Sequence, residues 1–332
     1  MMAAVKALFL LVTVLAATLL LTACAKSDSE GSPTATLSTT GSSTPAASPA
    51  ASSQATASAE ANPQIATGVS RGTLAFDGTE RTYRLFVPKG AGNAKMPLVL
   101  ALHGGLGSGD IMAAKTRFEA LAQQEGFIAV FPDGLDGTWN AGGCCGKAAR
   151  NNVDDVGFLA ALIKDLEQRA PVDPSRVFMT GHSNGAMMSF RFGCEHPEMV
   201  RGIAPVAGSL EIPKCAASKG TNLLTIHGDA DENHPIDGGR GPKSIANVDF
   251  VSMAQTLSLW TSAMACGAPT TTTDGPLTTT NWAGCKDGTV ARYIIIAGAS
   301  HGWPGSAAAS GDTPSQALDA TSTVWAFFKG LS

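Results

Sequence analysis

Beyond residue 66, apolar positions recur in two alternating patterns. Short, nearly continuous apolar runs predict strands buried on both faces, at 82–88, 97–103, 127–132, 176–181, 202–208, 222–228 and 292–298. Longer amphipathic patterns predict helices, at 110–125, 154–169, 184–196, 248–264 and 315–329. This alternation predicts an α/β fold over residues 67–332, with a mostly parallel, doubly wound sheet flanked by helices. Ligands of such sheets bind beyond the carboxyl ends of the strands.

The first 66 residues follow a different pattern. An apolar run that is shorter than the ~20 residues of a bilayer span ends at Leu-Thr-Ala-Cys, so residues 1–23 predict a signal peptide. This ending resembles the lipobox of bacterial lipoproteins, in which Cys24 would be lipidated; a secretory signal with an incidental cysteine is the alternative. Residues 24–66 are rich in Ser, Thr, Ala and Pro and predict a disordered tether. We expect an exported domain, anchored by lipid at the outer face of a bacterial membrane or cell surface, or released.

The charge pattern excludes one class of partner. The formal net charge is −4 and only 15% of the residues are charged, so the chain lacks the basic character that nucleic-acid binding requires. We therefore expect no nucleic-acid partner. We also expect a monomer with neither a metal nor a cofactor.

Six cysteines follow Cys24. An even number in an exported domain indicates disulfides rather than metal ligands. Cys266 and Cys285 flank one polar segment and are predicted to pair. Cys144 and Cys145 are sequence neighbours, poorly placed to bond each other, so each is expected to bond elsewhere. The remaining bonds should then form within one set of four, with the pairing left open: Cys144, Cys145, Cys194 and Cys215.

The sequence Gly181-His182-Ser183-Asn184-Gly185 fits G-x-S-x-G, the nucleophile elbow, and lies between a predicted strand and a predicted helix. A serine on such a strained turn points its hydroxyl out of the sheet, and the glycines leave room for the neighbouring backbone. The helix that begins at Asn184 directs N–H groups and its positive dipole end at the same place. Ser183 is therefore the candidate nucleophile, and a structural turn is the alternative.

A serine hydroxyl is a weak nucleophile that needs a histidine base and an orienting carboxylate. In sheets with this elbow the order along the chain is serine, acid, histidine. Of the six histidines, this order favours His301, which lies in a glycine-containing loop just past the last predicted strand. The acid should follow the strand at 222–228. Asp231 completes a G-x-x-D spacing there, and Asp229, otherwise a turn former, is the alternative.

A glycine-rich run at 100–107 can supply backbone donors to an oxyanion. Side chains are absent at its glycines, so the N–H groups can approach a substrate closely. We predict donors from Gly105, helped by Leu106, and from Asn184. A glycine-rich turn without this role is the alternative.

Three further side chains are candidate substrate contacts. Trp139 and Trp303 lie on loops expected at the rim of the site, where exposed indoles could stack on a substrate; packing of loop against loop is the alternative. His103 adjoins the glycine-rich run and is the third candidate.

Several motifs taken together resemble those of a known family: LHGGLG, FPDG, WNAGGCCG, VDDVGFL, GHSNGAMM, HGDADENHP and SHGWPG. They resemble the α/β-hydrolase esterases called polyhydroxybutyrate depolymerases, which are similar to feruloyl and acetyl-xylan esterases of carbohydrate esterase family 1. The resemblance covers residues 70–330. It implies an α/β-hydrolase fold and a secreted serine ester hydrolase without a cofactor, with Ser183, Asp231 and His301 as its triad.

The resemblance leaves the substrate open. A polyhydroxyalkanoate-type (3-hydroxybutyrate) polyester or its oligomers is the first expectation. Feruloyl or acetyl-xylan esters, or an aromatic polyester, are the alternatives. A non-catalytic, surface-tethered binding protein is the alternative of another class.

Overall fold

The computed structural model describes residues 65–90, 94–215, 219–307 and 313–331. Within them ten strands form one sheet. The strands are β1 (Gly68–Phe76), β2 (Thr79–Val87), β3 (Met96–Leu102), β4 (Ile128–Pro132), β5 (Val172–His182), β6 (Gly202–Val206), β7 (Asn222–Gly228), β8 (Thr270–Asp274), β9 (Leu277–Trp282) and β10 (Ala291–Ile296). The helices are α1 (Gly109–Thr116), α2 (Phe118–Glu125), α3 (Gly146–Arg150), α4 (Asp155–Arg169), α5 (Asn184–Glu195), α6 (Met253–Ala263) and α7 (Ala320–Lys329).

The predicted mostly parallel sheet is confirmed. Its strand order is β1-β2-β4-β3-β5-β6-β7-β10-β9-β8. All pairs from β4 to β10 are parallel, and the pairs toward the two edges are antiparallel. The carboxyl ends of the central strands therefore meet at one edge, where β3, β5, β7 and β10 each lead into a loop.

Burial on both faces explains the continuous apolar runs of the central strands. Every residue of β3 is buried. Leu98 and Leu100 belong to the hydrophobic core on one face, and Val99 and Ala101 belong to the core on the other. Because successive side chains of a strand point to opposite faces, a strand between two cores needs apolar residues at every position.

The outer strands β1, β8 and β9 were not among the predicted strands. β8 is Thr-Thr-Thr-Thr-Asp and is exposed along its whole length, so it carries none of the apolar alternation from which strands are predicted. It is held by β9, through the backbone ladder and threonine pairs such as Thr271–Thr280, whose hydroxyl oxygens lie 3.0 Å apart. Pairing with a neighbour, rather than burial, makes this segment a strand.

Helix boundaries differ from the prediction at three places. The helix expected at 110–125 is divided into α1 and α2, because Arg117 adopts a left-handed backbone with φ 54°. α6 and α7 begin later than 248 and 315. Ser252 and Asp319 cap them by accepting hydrogen bonds from the backbone N–H groups of the first turn, which sets where each helix starts.

The amino-terminal predictions lie largely outside the described residues. The signal peptide at 1–23, the lipidation of Cys24 and the tether up to residue 64 belong to this part. The described chain begins at Ile65, whose N–H donates to the Arg169 carbonyl at 3.1 Å. Among the described residues, no helix combines the length and apolar character needed to cross a bilayer.

The disulfides confirm one predicted pair and correct another. Cys266 is bonded to Cys285, as predicted. The expectation that Cys144 and Cys145 each bond elsewhere is wrong, because these neighbours are bonded to each other. The reason lies in the other two members of the set. The end of α5 brings Cys194 to Cys215, with Cα atoms 5.0 Å apart, and these two form the third bond.

Candidate active site

Ser183 occupies a strained corner between β5 and α5. Its backbone has φ 57° and ψ −119°, a conformation that costs free energy for any residue with a Cβ. The flanking glycines are sterically required. A Cβ on Gly181 would lie 2.3 Å from the Gly185 carbonyl oxygen, and a Cβ on Gly185 would lie 2.3 Å from the carbonyl oxygen of Leu102. The G-x-S-x-G spacing thus sets the geometry that a nucleophile elbow needs.

A histidine and a carboxylate meet where β7 and β10 end. These strands are parallel neighbours, so the loops that follow them lie side by side. The Nδ1 atom of His301 lies 2.7 Å from the Oδ2 atom of Asp231. The Oδ1 atom of Asp231 accepts backbone N–H bonds from Asn233 at 2.9 Å and His234 at 2.8 Å. Asp231 is buried, and both of its oxygens are occupied by donors.

The alternative acid, Asp229, lies in a different environment. It is exposed, and its Oδ1 accepts the backbone N–H of Gly298 at 2.6 Å. This contact joins the two loops after β7 and β10 and is typical of a turn residue. Between the two carboxylates, only Asp231 contacts His301 among the described hydrogen bonds.

Two opposing effects set the pKa of Asp231. Burial by itself would raise this pKa, because it disfavours the charged form. The side-chain hydrogen bonds from His227 and His301 outweigh burial and hold the pKa of Asp231 well below its usual range. The carboxylate is therefore charged at neutral pH and can stabilise a positive charge on His301.

Ser183 and His301 line the same cavity, which has a volume of about 490 Å³. The His182 ring also lines this cavity, with its centroid 4.9 Å from that of His301. Aliphatic side chains form much of the remaining wall: Leu106, Ile111, Met112, Met187, Ile245 and Ala246. The cavity thus combines a candidate nucleophile and base with an apolar lining.

The candidate oxyanion donors also face this cavity. Gly104 and Gly107 close a turn, in which the Gly107 N–H donates to the Gly104 carbonyl at 3.1 Å. Between them Gly105 has open space where a Cβ would be, and Leu106 has a left-handed φ of 58°. Asn184 begins α5, where the first N–H groups have no intrahelical acceptor. These backbone groups are consistent with the predicted donors.

The prediction of two exposed indoles at the rim is wrong. Trp139 is 0% exposed and Trp303 is 1% exposed. The Nε1–H of Trp139 donates to the His103 carbonyl at 2.9 Å, and that of Trp303 donates to the Thr321 hydroxyl at 2.9 Å. Each indole is buried and donates to an acceptor within the protein, so the alternative of loop packing holds for both.

His103 lines the cavity, but its ring nitrogens are already bonded to the protein. Its Nδ1 lies 2.7 Å from the Gly104 carbonyl, and its Nε2 accepts the backbone N–H of Gly134 at 2.9 Å. Burial lowers the pKa of His103, which suits a neutral ring with one donor and one acceptor. The ring therefore holds two loops together, and a polar contact with substrate would have to replace one of these bonds.

A buried ion pair beneath the Trp139 loop was missed by the sequence reasoning. Arg81 Nη2 lies 2.7 Å from Asp155 Oδ1, and both side chains are buried. The other carboxylate oxygen accepts the backbone N–H of Asn140 at 2.7 Å. The helical spacing gave a signal, because Asp155 lies on the same face of α4 as the buried residues Phe158 and Leu159.

Comparisons with known proteins agree with the motifs. Residues 81–211 match the family model described as Esterase PHB depolymerase. NocK of Nocardia uniformis subsp. tsuyamanensis, which is named as an esterase, is 36% identical over 48% of this chain and 48% of its own length. Feruloyl esterase B of Piromyces equi is 29% identical over 63% of this chain and 40% of its own. The chain thus spans about half or less of these curated relatives.

A solved structure supports the same fold. The acetyl xylan esterase from Aspergillus awamori has a TM-score of 0.53 and 18% identity, over 70% of this chain and 94% of that chain. The predicted α/β-hydrolase fold is confirmed. The family match contains Ser183 and ends before Asp231 and His301, so the acid and base rest on their geometry. Together, the match and the relatives confirm the resemblance inferred from the motifs, and the Esterase PHB depolymerase model matches residues 81–211 of this chain.

Proposed function

We propose that this protein is an extracytoplasmic serine carboxylic ester hydrolase that acts through an acyl-enzyme. The contact between His301 Nδ1 and Asp231 Oδ2, at 2.7 Å, carries the proposal, since it occurs at the cavity that Ser183 also lines. An imidazole that donates its Nδ1–H to a carboxylate keeps the lone pair of Nε2 for a proton. A serine hydroxyl requires a base of this kind.

The reaction follows from these positions. Ser183 Oγ attacks the ester carbonyl carbon while His301 Nε2 takes the hydroxyl proton, and Asp231 stabilises the resulting imidazolium. The tetrahedral intermediate collapses, its C–O bond to the alcohol breaks, and His301 gives the proton to the leaving oxygen. Water then attacks the acyl-enzyme with His301 as base, which releases the acid and restores Ser183.

The negative charge of the intermediate needs donors that are in place beforehand. The backbone N–H of Asn184 and that of Gly105, helped by Leu106, are the proposed donors. The positive end of the α5 dipole adds to the same effect. The Asn184 side chain bonds instead to the backbone of Trp139, at 2.7 Å and 3.0 Å, so its role there is to fix the corner against the neighbouring loop.

An aliphatic polyester of the polyhydroxyalkanoate type, or its oligomers, is the proposed substrate. Five large apolar side chains are exposed in the described part of the chain, and three of them line this one cavity: Leu106 at 72%, Ile111 at 53% and Ile245 at 74%. We call these three residues the apolar rim. Exposed apolar groups gathered around a site favour a ligand of the same character, and the family description is consistent with this substrate.

Feruloyl or acetyl-xylan esters and aromatic polyesters remain the alternative substrates. The name of the Piromyces relative favours a feruloyl ester, whereas the burial of Trp139 and Trp303 removes the two indoles that would have stacked on an aromatic ring. A non-catalytic binding protein is disfavoured, because it would not require a carboxylate that is aligned on a histidine beside an elbow serine.

A panel of esters tests the substrate and the reaction together. It comprises 3-hydroxybutyrate oligomers, methyl ferulate, acetylated xylan, an aromatic polyester and short p-nitrophenyl esters, each with the wild-type protein and Ser183→Ala. We expect the highest kcat/KM with the oligomers and almost none with the variant. A preference for methyl ferulate would make a feruloyl ester, rather than the polyester, the substrate. No turnover of any ester would favour a non-catalytic binding protein.

We further propose that acylated Cys24 holds the enzyme at a membrane and that the tether at 24–66 lets it reach its substrate. Substituting Cys24→Ala in the full-length chain should move the protein from the membrane fraction to the soluble exported fraction, since the anchor is lost while the domain is unchanged. Immunoblots of the two fractions measure this. A wild-type protein that is already fully soluble after export would contradict the anchor.

A further inference from the structure

The Asp231 carboxylate has a neighbour that the triad does not require. His227, next to last in β7, is buried, and its Nε2 lies 3.3 Å from Asp231 Oδ2. The same nitrogen lies 2.9 Å from the backbone carbonyl oxygen of His234. Oδ2 is therefore approached by two histidines, His227 and His301, while Oδ1 is held by two backbone N–H groups.

The surroundings of His227 define its protonation. Both oxygens next to Nε2 can only accept hydrogen bonds, so Nε2 carries the proton. Nδ1 is buried and has no hydrogen-bond partner among the described residues. A second proton on Nδ1 would bury an N–H without an acceptor, which is costly. The ring is therefore neutral, and its single Nε2–H is shared between the His234 carbonyl oxygen at 2.9 Å and Asp231 Oδ2 at 3.3 Å.

We propose that His227 is a positioning residue, whose Nε2–H fixes Oδ2 of Asp231 toward His301 without placing a second positive charge beside it. The inference rests on the proposed function of Ser183, Asp231 and His301. With both oxygens held, the carboxylate cannot rotate away from His301. Because the added donor is neutral, the negative charge stays available to the imidazolium that forms during the reaction.

Buried groups around His227 set its own position. β7 lies between β6 and β10 in the sheet, and His227 is in register with Ile295 of β10. On the other side lies the ring of His234, whose Nδ1 is 3.5 Å from His227 Nε2 and whose Nε2 is 2.8 Å from the Ser209 hydroxyl. Ser209 in turn donates to the buried Glu211. Among the described residues, the ionisable groups near His227 are thus Asp231, His301, His234, His182 and, through Ser209, Glu211.

Two substitutions distinguish the effect of the His227 Nε2–H donor from the effect of the ring itself. His227→Phe keeps a planar ring and removes the donor, whereas His227→Gln offers an amide N–H close to the position of Nε2. On a soluble p-nitrophenyl ester we expect His227→Phe to lower kcat about 10- to 100-fold with little change in KM. The acid limb of kcat/KM should move to higher pH, because Asp231 then has one donor fewer and keeps more of its negative charge beside His301. His227→Gln should retain most of the wild-type kcat and most of the wild-type pH profile of kcat/KM.

The control is His196→Phe, because this histidine is partly exposed and bonded to Glu198 at 3.0 Å on the surface. It should leave kcat and the pH profile unchanged. A folded His227→Phe variant with wild-type kcat and pH profile would overturn the inference, and so would a folded His227→Gln variant that restores neither. In those cases the esterase proposal would still stand, because it depends on Ser183→Ala.

A measurement on the wild-type protein covers the case in which the phenylalanine variant does not fold. Nitrogen-15 NMR of labelled histidines at neutral pH should show the His227 proton on Nε2. A proton on Nδ1 would overturn the inference. Neither result depends on turnover, so this test remains valid even if the protein is not an esterase.

Discussion

The nucleophile corner, residues 181–185, and the loop at 139–146 line the same cavity but are built in different ways. At the corner, five consecutive residues contain the essential information, because glycines are required wherever a Cβ would strike the neighbouring backbone. The loop depends on distant partners. The Asn140 N–H donates to Asp155 at 2.7 Å, and the Gly143 N–H donates to the Glu211 carbonyl at 2.8 Å.

This difference explains which predictions succeed. A steric requirement at fixed positions of a five-residue motif leaves a readable pattern, so the position of Ser183 could be inferred from the sequence. A loop fixed by remote hydrogen bonds leaves no such motif, and its Trp139 was wrongly expected to be exposed. The chemistry of the cavity is thus locally specified at the serine, whereas its shape is specified by the whole domain.

The strongest test of the corner is Ser183→Ala. The variant should keep the fold, and the substitution should also relieve no backbone strain, because alanine retains the Cβ. Ester hydrolysis should fall by about 10³-fold or more, since triad members act as a unit. Initial rates on a p-nitrophenyl ester measure the loss, with circular dichroism as the control for folding. Retention of a tenth of the activity would remove Ser183 from its proposed role.

Asp231 shares features of both regions. It lies on a loop, but its proposed role depends on one contact, the one with His301. Asp231→Asn should lower kcat about 10²- to 10⁴-fold, since His301 loses both its orientation and the charge that supports its imidazolium. Asp229→Asn is the matched control and should cost less than about tenfold, because Asp229 only holds the Gly298 N–H. Reversed penalties would make Asp229 the acid and leave the esterase proposal in place.

The fold could be predicted wherever burial leaves a pattern. The central strands were found because two cores cover them, and His301 because it follows a buried strand. β8 was not, since its threonines owe their strand conformation to pairing with β9. In the site, the bond between Cys144 and Cys145 and the contact of His227 with Asp231 were missed. Both depend on which partners the finished fold supplies, such as Cys215 for Cys194, and the spacing of residues does not contain that information.

The support beneath the loop is tested by Asp155→Ala. Removing this carboxylate leaves the Arg81 charge buried without its partner, so the free energy of unfolding should fall by about 3–5 kcal/mol. Asp154→Ala is the matched control, because Asp154 only caps α4 by accepting the Gly157 N–H; it should cost about 1 kcal/mol. Urea unfolding measures both. Equal penalties would show that the ion pair is not what holds this loop.

The smallest expected effect concerns the apolar rim, where shape rather than chemistry is at issue. Ile245 is 74% exposed beside the cavity, so replacing it should leave folding unchanged. Its side chain gains free energy only when a substrate covers it, at about 25 cal/mol per Å² of apolar surface removed from water. A short soluble ester covers little of the rim, whereas a polyester chain or film can cover much of it.

Ile245→Ser should therefore lower the rate on a polyhydroxybutyrate film or long oligomer about three- to tenfold. It should leave kcat/KM on p-nitrophenyl acetate within about twofold, since the triad is unchanged. Val290→Ser is the matched control: Val290 is also an exposed β-branched residue, at 36%, but does not line the cavity. Equal losses on film and soluble ester would mean that Ile245 shapes the site itself. If the film rate does not change, the rim does not bind polymer, and a smaller ester becomes the better substrate.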